Sequence, residues 1–292
     1  MPAPNRVRDA FMEGHNMIGL ASMMALTAAT LNPLPLIFGV VAEAAYLLFV
    51  PDSKWYAERI ETKYDADVAK RREQLKEDVL PTVSGMTADR FLRLEHVRTQ
   101  IDTQTGGDRK PYRQVLRKLD YLLEKFLLFG QKQSQFRAYL NNLLYEVTGK
   151  PVDSPDKRQV VEPSDDWARK TAARIQEHYE NEIARTDSSL ANETNLHTTA
   201  IMEKRKEVLQ RRAEYVTKIA ETLTNLGYQL ELMEDTFGLI NDEIRARSPE
   251  QVLADIDGVV NQTDSLTERL EEVAPFDSAS LADGAEKLYN VG

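Results

Sequence analysis

The chain has 292 residues, no cysteine and a formal net charge of -10. Disulfides, thiolate metal sites and cysteine nucleophiles are thereby excluded, and general binding to nucleic acid, which needs cations to neutralise phosphate, is disfavoured. Hydrophobic residues make up 42% and charged residues 29%, with a mean hydropathy of -0.47, so the apolar residues of this polar chain must be locally concentrated or regularly spaced.

Thirteen Gly and twelve Pro are few for this length. Ala, Leu, Glu, Arg and Lys dominate, and runs of alternating β-branched residues are missing, which predicts an all-α fold. The lack of cysteine fits a reducing compartment such as the cytoplasm.

Residues 1–16 carry Arg6 and Arg8 and are expected on the cytoplasmic side. From Met17 to Val50 the only formally charged residue is Glu43. An uncharged block of that length reads as a membrane segment. It is interrupted at Asn32-Pro33-Leu34-Pro35. Pro33 and Pro35 cannot continue a helix, and Pro33 pushes Asn32 towards an extended backbone. The block therefore splits into two apolar helices, Met17–Leu31 and Leu34–Val50, joined by a tight turn at 32–35. Each arm spans roughly 22–26 Å, a little short of a ~30 Å hydrocarbon core. Two geometries follow: a full transmembrane hairpin, or a re-entrant wedge in one leaflet. Arg6 and Arg8 before the block, and Lys54 and Arg59 after it, place both ends on the cytoplasmic side of a membrane. Tyr46, Trp55 and Tyr56 sit where interfacial aromatics belong.

Two other readings of the block compete. Met17–Leu26 could be the apolar centre of a signal peptide with Thr27-Ala28-Ala29 as its cleavage site, but the second apolar arm counts against it. A buried central hairpin of a soluble protein has the same composition. Within the block, Ala21, Ala25 and Ala29 recur every four residues and are expected to pack closely on the second arm through Gly39 and Ala42, or on another protomer. Glu43 is the sharper feature, because an intramembrane carboxylate is costly and points at a partner or water. Folding the hairpin about Pro33 brings it near Ser22, the nearest candidate donor.

Beyond Pro51, Asp52-Ser53 can cap a helix whose face is Tyr56, Ile60, Tyr64, Val68, Leu75 and Val79. Pro81–Gly85 breaks it, and a shorter helix runs from Thr87 to about Gly106. Lys110–Val147 is long and periodic, and around Tyr121–Phe129 its apolar residues cover more than one face, so neighbours are expected on two sides. This helical body, 51–148, ends at a Pro-rich linker, 149–163. Ser164 with Asp165 and Asp166 starts the next helix, with Trp167, Ile175, Tyr179 and Ile183 inward. A polar break covers 184–195.

The strongest periodicity follows. Ile219, Leu223, Leu226, Leu230, Met233, Phe237, Ile240 and Ile244 alternate four and three. Ser248-Pro249-Glu250-Gln251 reads as a capping box with Pro at the first helical position. Val252, Ile256, Val259, Thr263, Leu266, Leu270 and Val273 then repeat the alternation. Two such stripes joined by a tight break predict an antiparallel coiled-coil hairpin within 164–274, or a seam between protomers. The polar tail is 275–292.

Catalytic and cofactor signatures are missing: no GxGxxG, phosphate-binding loop, HExxH or GxSxG occurs. The four histidines are scattered, and the helical pairs His178/Glu182 and Glu193/His197 are expected to be solvated. Neither enzyme activity nor a cofactor nor a metal is expected. Arg109, Lys110, Arg113, Arg117 and Lys118 form a basic face that either pairs with acidic neighbours or meets lipid headgroups or a partner. The expectation is a non-catalytic, membrane-anchored coiled-coil protein that scaffolds or tethers a complex at the cytoplasmic face. Its partners would be lipid and protein, including copies of itself. The alternative is an oligomerising α-helical pore former that inserts the 17–50 hairpin.

Overall fold

The computed structural model describes residues 11–12, 14–31, 33–50, 53–105, 109–149 and 165–273. All regular structure among them is helical: α1 Gly14–Thr30, α2 Leu34–Phe49, α3 Lys54–Val79, α4 Gly85–Gln104, α5 Arg109–Thr148, α6 Asp165–Leu190, α7 Leu196–Glu243 and α8 Pro249–Val273, with a 3-10 turn at Leu80–Thr82. The expected linker at 149–163 and tail at 275–292 lie outside the described residues, Gly149 excepted. The chain divides into two compact units, Met1–Gln74 and Leu75–Gly292, the division falling inside α3.

In the first unit, α1 packs on α2, and α3 starts at the expected cap, with the Tyr56 N–H donating to Ser53 Oγ at 3.3 Å. Tyr56 and Val68 are buried.

In the second unit, two apolar clusters share α5 and α7. The first joins Val79, Phe91, Leu94 and Ile101 to Val115–Phe129 of α5, Leu226–Ile244 of α7 and Val252–Leu270 of α8. The second joins Leu140, Leu143 and Leu144 of α5 to Ala168–Tyr179 of α6 and Val216–Leu223 of α7. Residue numbers rise along α5 while those of its partners on α7 fall, so these two helices run antiparallel. The breadth of apolar residues around Tyr121–Phe129 now has its reason: α4, α7 and α8 all contact α5.

All eight residues of the α7 stripe, Ile219 to Ile244, are at most 5% exposed. Their partner differs from the expected two-helix seam. The stripe meets α4 and α5 as well as α8, because α5 carries an apolar stripe of its own that the same spacing fits. The helices that flank 149–163, α5 and α6, both contribute to the second cluster. The capping box is formed: Gln251 N–H donates to Ser248 Oγ at 3.4 Å, and Ser248 N–H to Gln251 Oε1 at 3.3 Å.

Polar pairs fix the register. Arg98 on α4 donates to both oxygens of Asp120 on α5, at 2.8 and 3.1 Å, and to Asp102 at 3.2 Å. Arg90 reaches Glu234 on α7 at 2.6 Å and lies over the Phe126 ring. Between α7 and α8 the buried Gln229 amide donates to Thr263 Oγ1 at 2.9 Å, so a threonine sits in the seam without an unmet polar group.

At Gly130 the approach of α4 is close: a Cβ there would lie 2.6 Å from Thr87 Cγ2. Gly130→Ala is expected to lower stability by about 1–3 kcal/mol through overpacking. Thr87→Ser removes the offending methyl and keeps the hydroxyl near Ser84. Adding it to Gly130→Ala should recover most of the loss, read as coupling in a denaturant double-mutant cycle. Additive losses would show that the two helices are not in contact there.

Tyr121 has its phenol pushed well above the ordinary tyrosine value of 10.0, by burial first, then by its hydrogen bond to Asp264 and the charge beside it. Burial also raises Tyr139 and Tyr179. A raised phenol favours the neutral form in the folded state. That stabilisation is intact below pH 10 and is lost as pH rises above it. Thermal midpoints should therefore hold up to about pH 10 and fall beyond it, with a shallower fall for Tyr121→Phe. An identical alkaline slope in the variant would remove Tyr121 from this account.

Candidate functional site

The feature that sets this chain apart is the α1–α2 hairpin. Its arms end within about one residue of the sequence expectation at the turn, Thr30 on one side and Leu34 on the other. Leu31 adopts a left-handed φ of 50°, which lets the chain reverse in three residues. Pro33 then occupies the N-cap of α2, and its carbonyl accepts from the Ile37 N–H at 3.1 Å. Asn32 lies outside the described residues, as does the side chain of Pro35.

Fourteen large apolar side chains between Met17 and Phe49 are exposed, among them Leu31 at 91%, Phe38 at 69% and Phe49 at 76%. Among its described residues the second unit exposes seven: Leu92, Tyr145, Leu196, Ile201, Val208, Tyr228 and Leu239. Scattered apolar residues of the second kind are ordinary, whereas a contiguous apolar surface marks an interaction site. The hairpin is apolar all round, not on one face.

The hydroxyls of α1 are tied inward. Ser22 donates to the Ile18 carbonyl at 2.7 Å, Thr27 to Met23 at 2.9 Å and Thr30 to Leu26 at 2.7 Å. With their protons bonded to the helix's own backbone, these side chains ask nothing of a surrounding solvent. The Ser22 proton thus goes to Ile18 and is not donated to Glu43. Glu43 itself is half-buried.

The contact between the arms runs through Gly39, as expected, but not through the alanines. Ala21, Ala25, Ala29 and Ala42 are exposed. The close approach runs through Gly39, where a Cβ would lie 3.2 Å from Met23 Cβ and Cγ. Leu20 and Thr27 flank Met23 on one arm, and Glu43, Tyr46 and Leu47 follow Gly39 on the other, all half-buried. The alanine spacing of four drifts off this face, whereas 20, 23 and 27 alternate three and four and stay on it. That alternation was the signal in the sequence.

Of the basic face on α5, the side chains of Arg109 and Lys110 lie outside the described residues. Arg113 and Arg117 are half-buried, and both are engaged. Lys118 pairs with Asp257 on α8. Of this cluster, Lys118 joins α5 to α8.

The carboxylates of the two carboxylate–histidine pairs are engaged elsewhere. Glu182 accepts from Arg185 and Arg205, each at 2.8 Å, and Glu193 accepts from the Thr194 and Asn195 N–H groups. Among the described residues no group of three or more His, Asp or Glu could hold a metal ion. A groove of about 470 Å³ between α7 and α8 is lined by Asn225, Tyr228, Asn261, Gln262, Ser265 and Arg269, with no carboxylate or histidine. Also among the described residues, no helix is long and apolar enough to cross a membrane.

No protein-family model matches the chain, and neither a curated protein nor a solved structure matches it.

Proposed function

We propose that this is a non-catalytic protein anchored in a membrane by the α1–α2 hairpin, whose helical second unit tethers or scaffolds a complex at the cytoplasmic face. The observation that carries the reading is the concentration of exposed apolar side chains on a hairpin whose hydroxyls bond to its own backbone. Each such side chain gains about 1.5–3 kcal/mol on leaving water, so fourteen of them amount to tens of kcal/mol. That is far more than the carboxylate of Glu43 costs.

The α7 stripe is taken up inside the chain, so a partner of the second unit would meet its charged exterior, and the scaffold need not assemble through a coiled coil. The test is extraction. After alkaline carbonate washing of membranes the full chain should remain in the pellet, and a variant lacking residues 14–49 should be released. Full-length protein in the wash supernatant contradicts the anchor.

A further inference from the structure

We propose that the hairpin enters a single phospholipid leaflet, with its turn among the acyl chains, and does not cross to a second aqueous face. This rests on the membrane reading above and adds the kind of lipid surface that the hairpin takes. Three features of the hairpin point the same way.

The first is the chemistry of the turn. A hairpin that crosses a bilayer puts its turn in the far headgroup layer, where polar and charged residues belong. Here the turn and the first turn of α2 read Leu31-Asn32-Pro33-Leu34-Pro35-Leu36-Ile37-Phe38, and Leu31, Leu34, Leu36, Ile37 and Phe38 are all exposed. Its backbone is also poor in donors. The start of a helix ordinarily leaves four N–H groups without partners. Two of those four positions at the start of α2 are Pro33, the N-cap, and Pro35, and neither carries an N–H. Fewer bare donors make a turn in hydrocarbon less costly.

The second is length. The arms of 17 and 16 residues measure about 24–26 Å. One leaflet with its headgroup layer is roughly 20–22 Å thick, half of a 40–45 Å bilayer. A modestly tilted arm fills that depth, and falls well short of both headgroup layers.

The third is Glu43. It lies six residues before Phe49 and nine after Leu34, so about 9 Å below the mouth of the hairpin and about 13 Å above the turn. In a single-leaflet wedge that depth is the base of the headgroup layer, where a carboxylate is tolerated. In a spanning hairpin it falls within several ångströms of the midplane, where a charge is most costly.

The experiment floats the full chain with two lipid surfaces of one phospholipid composition: unilamellar vesicles, and triacylglycerol droplets coated by a phospholipid monolayer. A single-leaflet wedge should bind both. Leu31→Lys, which puts a charge at the deepest point, should weaken both by about tenfold or more. Binding to vesicles but not to droplets would overturn the single-leaflet geometry and leave the anchor standing. So would vesicle binding unchanged by Leu31→Lys, since a turn in far-side water tolerates the charge. Binding to neither surface would overturn the anchor and this inference together.

Discussion

Replacing Leu230 and Phe237 together by aspartate is expected to unfold the second unit, not to split an oligomer into folded monomers. Both side chains are 0% exposed within one chain, in the cluster that joins α4, α5, α7 and α8. Deleting a buried Leu or Phe costs about 2–5 kcal/mol, and each new carboxylate must also be buried or drag its helix open. The pair together matches or exceeds the 5–15 kcal/mol that holds an ordinary domain. Far-UV circular dichroism of the full chain in mild detergent should show helix loss, and sedimentation should show no release of a compact smaller species. A wild-type oligomer that falls apart into folded monomers would mean that the stripe closes between chains. The packing described for α7 would then be wrong.

Ile37→Arg with Val41→Arg is expected to abolish recovery of the chain with membranes while leaving the second unit folded. The two positions lie one turn apart on the same face of α2, 55% and 62% exposed. An arginine deep in hydrocarbon costs about 2.5–3.5 kcal/mol, where isoleucine or valine was favourable. Two substitutions therefore remove about 5–7 kcal/mol, a loss beyond a thousandfold in partition. Leu239→Arg, at an exposed position on α7, serves as the control and should not change recovery. If the hairpin variant partitions like the wild type, the exposed apolar surface of α2 does not face lipid.

What the sequence made legible follows from how local each signal is. The arm ends at the turn could be read to within about one residue, because two prolines are covalent facts about a short segment, whereas α1 starts at Gly14, ahead of the expected Met17. The α7 stripe was legible for a similar reason: eight residues in unbroken four-three alternation have one buried face whatever the partner. The partner was not legible. A heptad stripe fits any helix with a matching stripe, and α5, which ends at Thr148, about 70 residues before Ile219, supplies one as well as α8 does.

Side-chain pairing was the least legible layer. Arg98 finding Asp120, or Gln229 finding Thr263, depends on rotation and register between helices, which spacing along one helix does not contain. Ser22 shows the same limit from the other side. Folding about Pro33 placed it near Glu43 in height, but a helical serine has its own carbonyl four residues back within reach, and it donates there.

A membrane anchor requires the hairpin to be in contact with acyl chains. The chain has no native cysteine, so Phe38→Cys places a single environment-sensitive fluorophore on α2 at a position that is 69% exposed. The measurement is its quenching in vesicles, by bromines carried on the acyl chains and by iodide in the water. Strong quenching by the brominated lipid with protection from iodide is the predicted result. Quenching by iodide, with none by the bromines, would contradict a membrane hairpin outright.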